Sequence, residues 1–122
     1  MAAFTEPANA LQAAIAMHRQ LHKLNDDLNL TERDRLLLKI GIDAGPCVSV
    51  TLNHSPDYFG TTVNTAARVQ GTSYPGSIAI TEPIVDASAQ ISNLQGCRWE
   101  RRALPLKGLD TPVTIHYLFP NG

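Results

Sequence analysis

The sequence predicts an α+β fold on a single sheet. Three observations predict it. Apolar residues recur at helical spacing over residues 7 to 28. Apolar and polar residues alternate over 36–52 and again over 113–119. Short helical segments lie between the extended stretches. The 122 residues fit one domain. Hydrophobic content of 43% and charged content of 17% are sufficient for a packed core and unlike a disordered chain. The formal net charge of −1, with no basic run, argues against a general nucleic-acid or membrane-surface binder. Apolar runs are only a few residues long, so neither a membrane span nor a signal peptide is predicted, and a cytoplasmic chain is expected. Cys47 and Cys97 fit no metal spacing and are expected to stay reduced.

Taken in order, Met1-Ala2-Ala3-Phe4 is too apolar for a free tail and reads as the end of a strand. Thr5-Glu6-Pro7 starts a helix, with a cap candidate followed by a first-turn proline. Ala10, Ala14, Met17, Leu21, Leu24 and Leu28 then form its apolar face. His18 and His22, four apart, could ligate a metal, but no third ligand is near, and a solvated face is expected. Asn29 to Arg35 is a polar connection. Leu36 to Asp43 and Cys47 to Leu52 alternate around Ala44-Gly45-Pro46, which predicts a β-hairpin. Asn53 to Pro56 reads as a loop. After Pro75-Gly76, Ser77 to Ile80 is a short strand, and Thr81 can cap a helix over Glu82 to Ala89. Arg98 to Leu106 is extended, Lys107 to Pro112 turns, and Val113, Ile115, Tyr117 and Phe119 share one face of the last strand.

The chemistry concentrates in Asp57-Tyr58-Phe59-Gly60-Thr61-Thr62-Val63-Asn64-Thr65-Ala66-Ala67-Arg68, read as a polar loop entering a helix. Thr61 and Thr62 can cap that helix. Val63, Ala66 and Ala67 form a small apolar face suited to a sheet. Asn64 and Arg68 lie one above the other on an adjacent face, where an amide beside a guanidinium suits an oxyanion or phosphate. The same spacing also fits two solvated surface residues.

This stretch resembles the signature of the class III adenylate/guanylate cyclase catalytic domain. Ile40-Gly41-Ile42-Asp43-Ala44-Gly45-Pro46, Tyr74-Pro75-Gly76-Ser77-Ile78 and Leu106-Lys107-Gly108 resemble further landmarks of the same family. The resemblance implies a nucleotide-cyclase-like sheet, related to the ferredoxin-like fold, with flanking helices. The whole chain, 1–122, would be a partial, N-terminally truncated domain. It implies conversion of ATP to cyclic AMP and pyrophosphate in signalling. By resemblance, Arg68 stabilises phosphate charge, Asn64 positions the ribose, Asp57 reads the adenine amino group and Lys107 contacts the terminal phosphates. The family's Mg²⁺ or Mn²⁺ is held by two aspartates that would precede residue 1. Asp43 is not a substitute, and the chain alone is expected to be inactive. The family builds its site between two cyclase domains, so a second domain, in a homodimer or heterodimer, is the expected partner. The alternative is a non-catalytic cyclase-like module for dimerisation or regulation.

Overall fold

In the computed structural model, helix α1 (Pro7–Asp27) leads into strand β1 (Lys39–Ile42), the hairpin β2 (Val48–Leu52) and β3 (Ser55–Phe59), and helix α2 (Thr61–Thr72). Strand β4 (Ser77–Ile80), helix α3 (Glu82–Ser88) and strands β5 (Arg98–Leu104) and β6 (Val113–Phe119) follow. The structure describes all residues except 47, 53, 54, 92, 93, 95, 107–109 and 122, and it leaves out the side chains of 48–50, 52 and 55–57.

The main sheet has the order β1-β4-β6-β5, with β1 and β4 parallel and the other pairs antiparallel. One face carries Leu11, Ala14 and Ile15 of α1 and Ile84 of α3 against Ile78, Ile80 and Leu118. The other carries Val69 of α2 against Ala79, Ile115 and Tyr117, with Leu106 beside them. Each such large side chain contributes about 1.5–3 kcal/mol when fully removed from water. The α+β expectation is met, and the shared face of Val113, Ile115, Tyr117 and Phe119 is part of this second cluster.

The predicted hairpin between residues 36–43 and 47–52 does not form. β1 pairs instead with β4, in the register Lys39↔Ser77 to Ile42↔Ile80, while β2 pairs with β3. Parallel neighbours need a long crossover, and the β2–β3 hairpin with α2 supplies it. Ser55 and Pro56, expected in the loop before the signature, and Asp57 itself therefore lie on strand β3, while Asn53 and His54 of that loop lie outside the described residues. Leu36, Leu37 and Leu38 stay outside any strand and are exposed, and Met1–Phe4 likewise forms no strand.

Helix α1 matches its predicted span but is rotated. Its buried residues are Leu11, Ala14, Ile15, His18 and Asn25, whereas Met17, Leu24 and Leu28 are exposed. Asn25 sets this rotation. Its Nδ2 donates to the Leu36 carbonyl at 2.8 Å, and its Oδ1 accepts from the Leu36 N–H at 2.9 Å. His18 is therefore a core residue and not part of a solvated pair; it is 3% exposed, and its Nε2 has no partner among the described residues. Neither the Thr5 cap nor a Thr81 side-chain cap forms. Glu6 is the N-cap of α1, and the Thr81 hydroxyl donates to Asp43 Oδ1 at 2.7 Å instead.

Gly41 sits directly beneath α2. A Cβ there would lie 2.6 Å from the Gln70 Cα, inside contact with helix backbone that cannot rotate away. Gly41→Ala should therefore destabilise the fold by about 1–3 kcal/mol or more, the cost of overpacking. Urea unfolding measures it, and an unchanged midpoint would mean that α2 is not seated on β1.

Burial holds the His18 imidazole below its usual 6.5, against a weaker opposing pull from a hydrogen bond with the Ser77 backbone. The folded state therefore prefers neutral His18. Stability should be full above about pH 6.5 and fall as pH drops through the lower folded-state value, since the unfolded chain takes up the proton first. Urea unfolding at about pH 8 and about pH 5 should show a smaller loss in His18→Leu than in the parent. Equal losses would assign the acid sensitivity to other groups.

Candidate functional site

The candidate site is built on α2, and its entry is dictated by Gly60. This residue is the N-cap, at φ 135° and ψ 176°, a conformation open in practice only to glycine. Its carbonyl accepts from the Asn64 N–H at 3.1 Å, closing the first turn. Thr61 and Thr62, expected as caps, lie inside the helix, and no side chain caps it. The Thr62 hydroxyl instead donates to the Pro46 carbonyl at 2.8 Å, tying the first turn to the segment that leaves β1.

Three faces of α2 then have different fates. Val69 is fully buried against the sheet. Val63, Ala66, Ala67 and Gln70 line an apolar groove of about 720 Å³ that runs between α2, β1 and α1. Asn64 and Arg68 line no part of it; both are exposed. They are continued one turn later by Thr72, whose Oγ1 accepts from the Tyr117 hydroxyl at 3.0 Å. Asn64, Arg68 and Thr72 thus follow an i, i+4, i+8 line on the flank of α2 that leads toward β6. Among the described residues, Arg68 makes no hydrogen bond or ion pair, so its guanidinium is available to an anion.

The structure brings together only part of the expected set. Asn64 and Arg68 share one rigid helix face. Asp57 lies on β3 with its backbone opposite Val50, but its side chain is outside the described atoms. Lys107 lies outside the described residues. Beyond the sequence-derived set, Arg98 stacks over Phe119 at 4.0 Å from the ring centroid and Arg102 over Tyr74 at 5.2 Å. Tyr74 also packs 5.1 Å from Tyr117, so these residues edge the same side of the sheet as Thr72. The four-residue spacing of Arg98 and Arg102, which puts both on one face of a strand, is visible in the sequence. Their aromatic partners, on other elements, are not.

No group of three or more His, Cys, Asp or Glu side chains able to hold a metal occurs among the described residues. Two described carboxylates are held within the fold: Asp43 accepts from the Thr81 hydroxyl, and Glu82 bonds His116 at 2.9 Å. No described helix is long and apolar enough to cross a membrane.

Comparison with known proteins agrees with this architecture. The chain is 43% identical over 53 residues to the receptor-type guanylate cyclase gcy-4 of Caenorhabditis elegans, covering 41% of this chain and 5% of that protein. It is 31% identical over 81 residues to a provisionally named adenylate cyclase 3 of Rhizobium meliloti (strain 1021), covering 66% of this chain and 13% of that one. In fold, it resembles an adenylate/guanylate cyclase/hydrolase from Silicibacter pomeroyi, with a TM-score of 0.78 at 22% identity, over 98% of this chain and 66% of the other. The adenylyl cyclase CyaB from P. aeruginosa gives 0.71 at 21% identity, over 92% and 58%. The chain thus spans a small fraction of the curated relatives it matches and about two thirds or less of these two structures. The family model described as the adenylate and guanylate cyclase catalytic domain matches residues 1–119, so nearly the entire chain is accounted for, and it belongs to that family.

Proposed function

We propose that residues 1–122 are the nucleotide-facing part of an adenylate cyclase catalytic domain, which converts ATP to cyclic AMP and pyrophosphate together with a second cyclase domain. The observation that carries this reading is the pair Asn64 and Arg68, exposed on one face of a helix that Gly60, Thr62 and Val69 hold in place.

In the reaction, the ribose 3′-oxygen loses its proton and bonds to the α-phosphorus. The bond from that phosphorus to the bridging oxygen breaks, and pyrophosphate leaves with the electron pair. Negative charge grows on the α-phosphoryl oxygens, where a preorganised cation helps most. Arg68 supplies that cation. Asn64 holds the ribose by hydrogen bonding, Asp57 accepts from the adenine amino group, and Lys107 neutralises the terminal phosphates. Family cyclases use divalent metal ions. Among the described residues, no three His, Cys, Asp or Glu side chains come together to hold one. That mismatch favours the second reading, a non-catalytic cyclase-like module, for a chain acting without a partner domain.

Two assays separate the readings. The purified chain with ATP and Mn²⁺ should make no cyclic AMP above background. Turnover lost in Arg68→Ala would show that this chain holds its own metal. Mixed with a metal-competent cyclase domain lacking its own arginine at the matching position, the chain should restore cyclic AMP synthesis, and Arg68→Ala should lower kcat by roughly 10²–10³-fold with little change in KM. Tight pairing without restored activity would support the regulatory module.

A further inference from the structure

Strand β5 ends the sheet order β1-β4-β6-β5, so it pairs with β6 on one side, and among the described residues no strand lies on its outer edge. Its pairing with β6 runs unbroken over seven residues, from Arg98↔Phe119 to Leu104↔Val113. Neither a proline nor a bulge interrupts the strand, and an edge of that kind presents alternate N–H and C=O groups to an added strand. Five of the seven residues are exposed, Trp99 among them.

The charge of β5 differs from that of the rest of the molecule. Arg98, Arg101 and Arg102 are three of the chain's ten Lys and Arg, whereas Glu100 is one of its eleven Asp and Glu. The whole chain carries −1, so this cationic strip stands on an otherwise acidic background. Such a strip attracts an acidic partner. It disfavours a second copy, because two β5 edges laid together bring strips of one sign into contact. Arg98, Glu100 and Arg102 alternate onto the face of Tyr117 and Phe119. There Arg98 stacks over Phe119 and Arg102 over Tyr74, and the Tyr74 and Phe119 rings stack on each other at 6.2 Å. Stacking occupies the flat face of a guanidinium and leaves its in-plane N–H groups for a carboxylate. Arg98 shares part of that edge with Glu100. Arg101 and Arg102 make no hydrogen bond or ion pair among the described residues.

We propose that the outer edge of β5 is a docking site for an extended acidic segment of a partner protein, which adds as a strand and places carboxylates against Arg98 and Arg102. Main-chain bonds to the edge supply affinity, and the arginines fix the register. Four strand residues span about 13 Å, so carboxylates at i and i+4 of the added strand, on one face, match the two guanidiniums. Apolar residues between them, on the other face, meet Trp99. The inference does not depend on what Asn64 and Arg68 bind.

The probe is the peptide Ser-Thr-Glu-Val-Thr-Val-Glu-Thr-Ser, whose pattern reads the same in either strand direction. One control carries Lys in place of both Glu. A second keeps the composition but sets the two Glu three apart, on opposite faces of a strand. Fluorescence anisotropy of labelled peptide, titrated with the full chain, should show saturable binding of the probe. Both controls, and Arg102→Gln with the probe, should bind about 10–100-fold more weakly, the effect of losing a charge-assisted hydrogen bond. Arg33→Gln, exposed on the connection before β1, should bind as the parent does. Amide hydrogen exchange should slow at alternate β5 residues, those facing outward, and stay unchanged at Ile115. Four results overturn the proposal. One is no binding at millimolar peptide. Another is equal binding by the second control or by Arg102→Gln, which would reduce the effect to general charge attraction. The third is binding without protection of β5 amides. The last is protection that grows with the chain's own concentration in the absence of peptide, which would assign the edge to a second copy. No nucleotide enters the assay, so its failure is distinct from failure of the cyclase reading.

Discussion

The close seating of α2 on β1 at Gly41 is the constraint on which the rest of the structure depends. Helix backbone meets strand backbone there without an intervening side chain, with Gln70 directly above the glycine. This proximity makes the connection from β1 to β4 a parallel crossover, with the β2–β3 hairpin carried along as an excursion. It also fixes the rotation of α2 about its axis. With Val69 down and Gln70 over β1, Asn64 and Arg68 have to emerge on the flank leading toward β6.

The rotation separates two surfaces of different chemistry. The β1 side of α2 is lined by small apolar residues and opens into the groove with α1. The opposite flank carries the Arg68 guanidinium, unpaired among the described residues, with Thr72 and Tyr117 hydrogen-bonded below it and cations stacked on the neighbouring aromatic rings. The first surface is suited to burying chain; the second, to meeting an anion. A single helix can serve both because its buried stripe is narrow, with Val69 its only fully buried member.

The polar groups are divided in the same way. Those with a structural role are satisfied within the fold: Asn25 with the Leu36 backbone, Asp43 with Thr81, Ser73 with Ser77 at 2.8 Å. His18 is the exception, a buried ring with one nitrogen unpaired among the described residues, and the cost falls on its charged form. Asn64 and Arg68 belong to neither group. They are exposed, and the fold gives Arg68 no partner among the described residues.

By itself, the sequence determined the mixed α+β class, the span of α1, the shared face of the last strand and the pairing of Asn64 with Arg68. Each of these follows from a period of 3.6 or 2.0 residues, which local geometry imposes whatever the neighbours are. The family was legible too, because its signature is contiguous. Only tertiary structure decided the partner of β1, since alternation identifies a strand but not the strand beside it. Contacts distant in sequence also decided which flank of α1 is buried, through the bonds of Asn25 to Leu36, and which way the hydroxyls of Thr62 and Thr81 turn. In each case a side chain with two possible local roles was claimed by a backbone or carboxylate group that only the folded chain brings within reach.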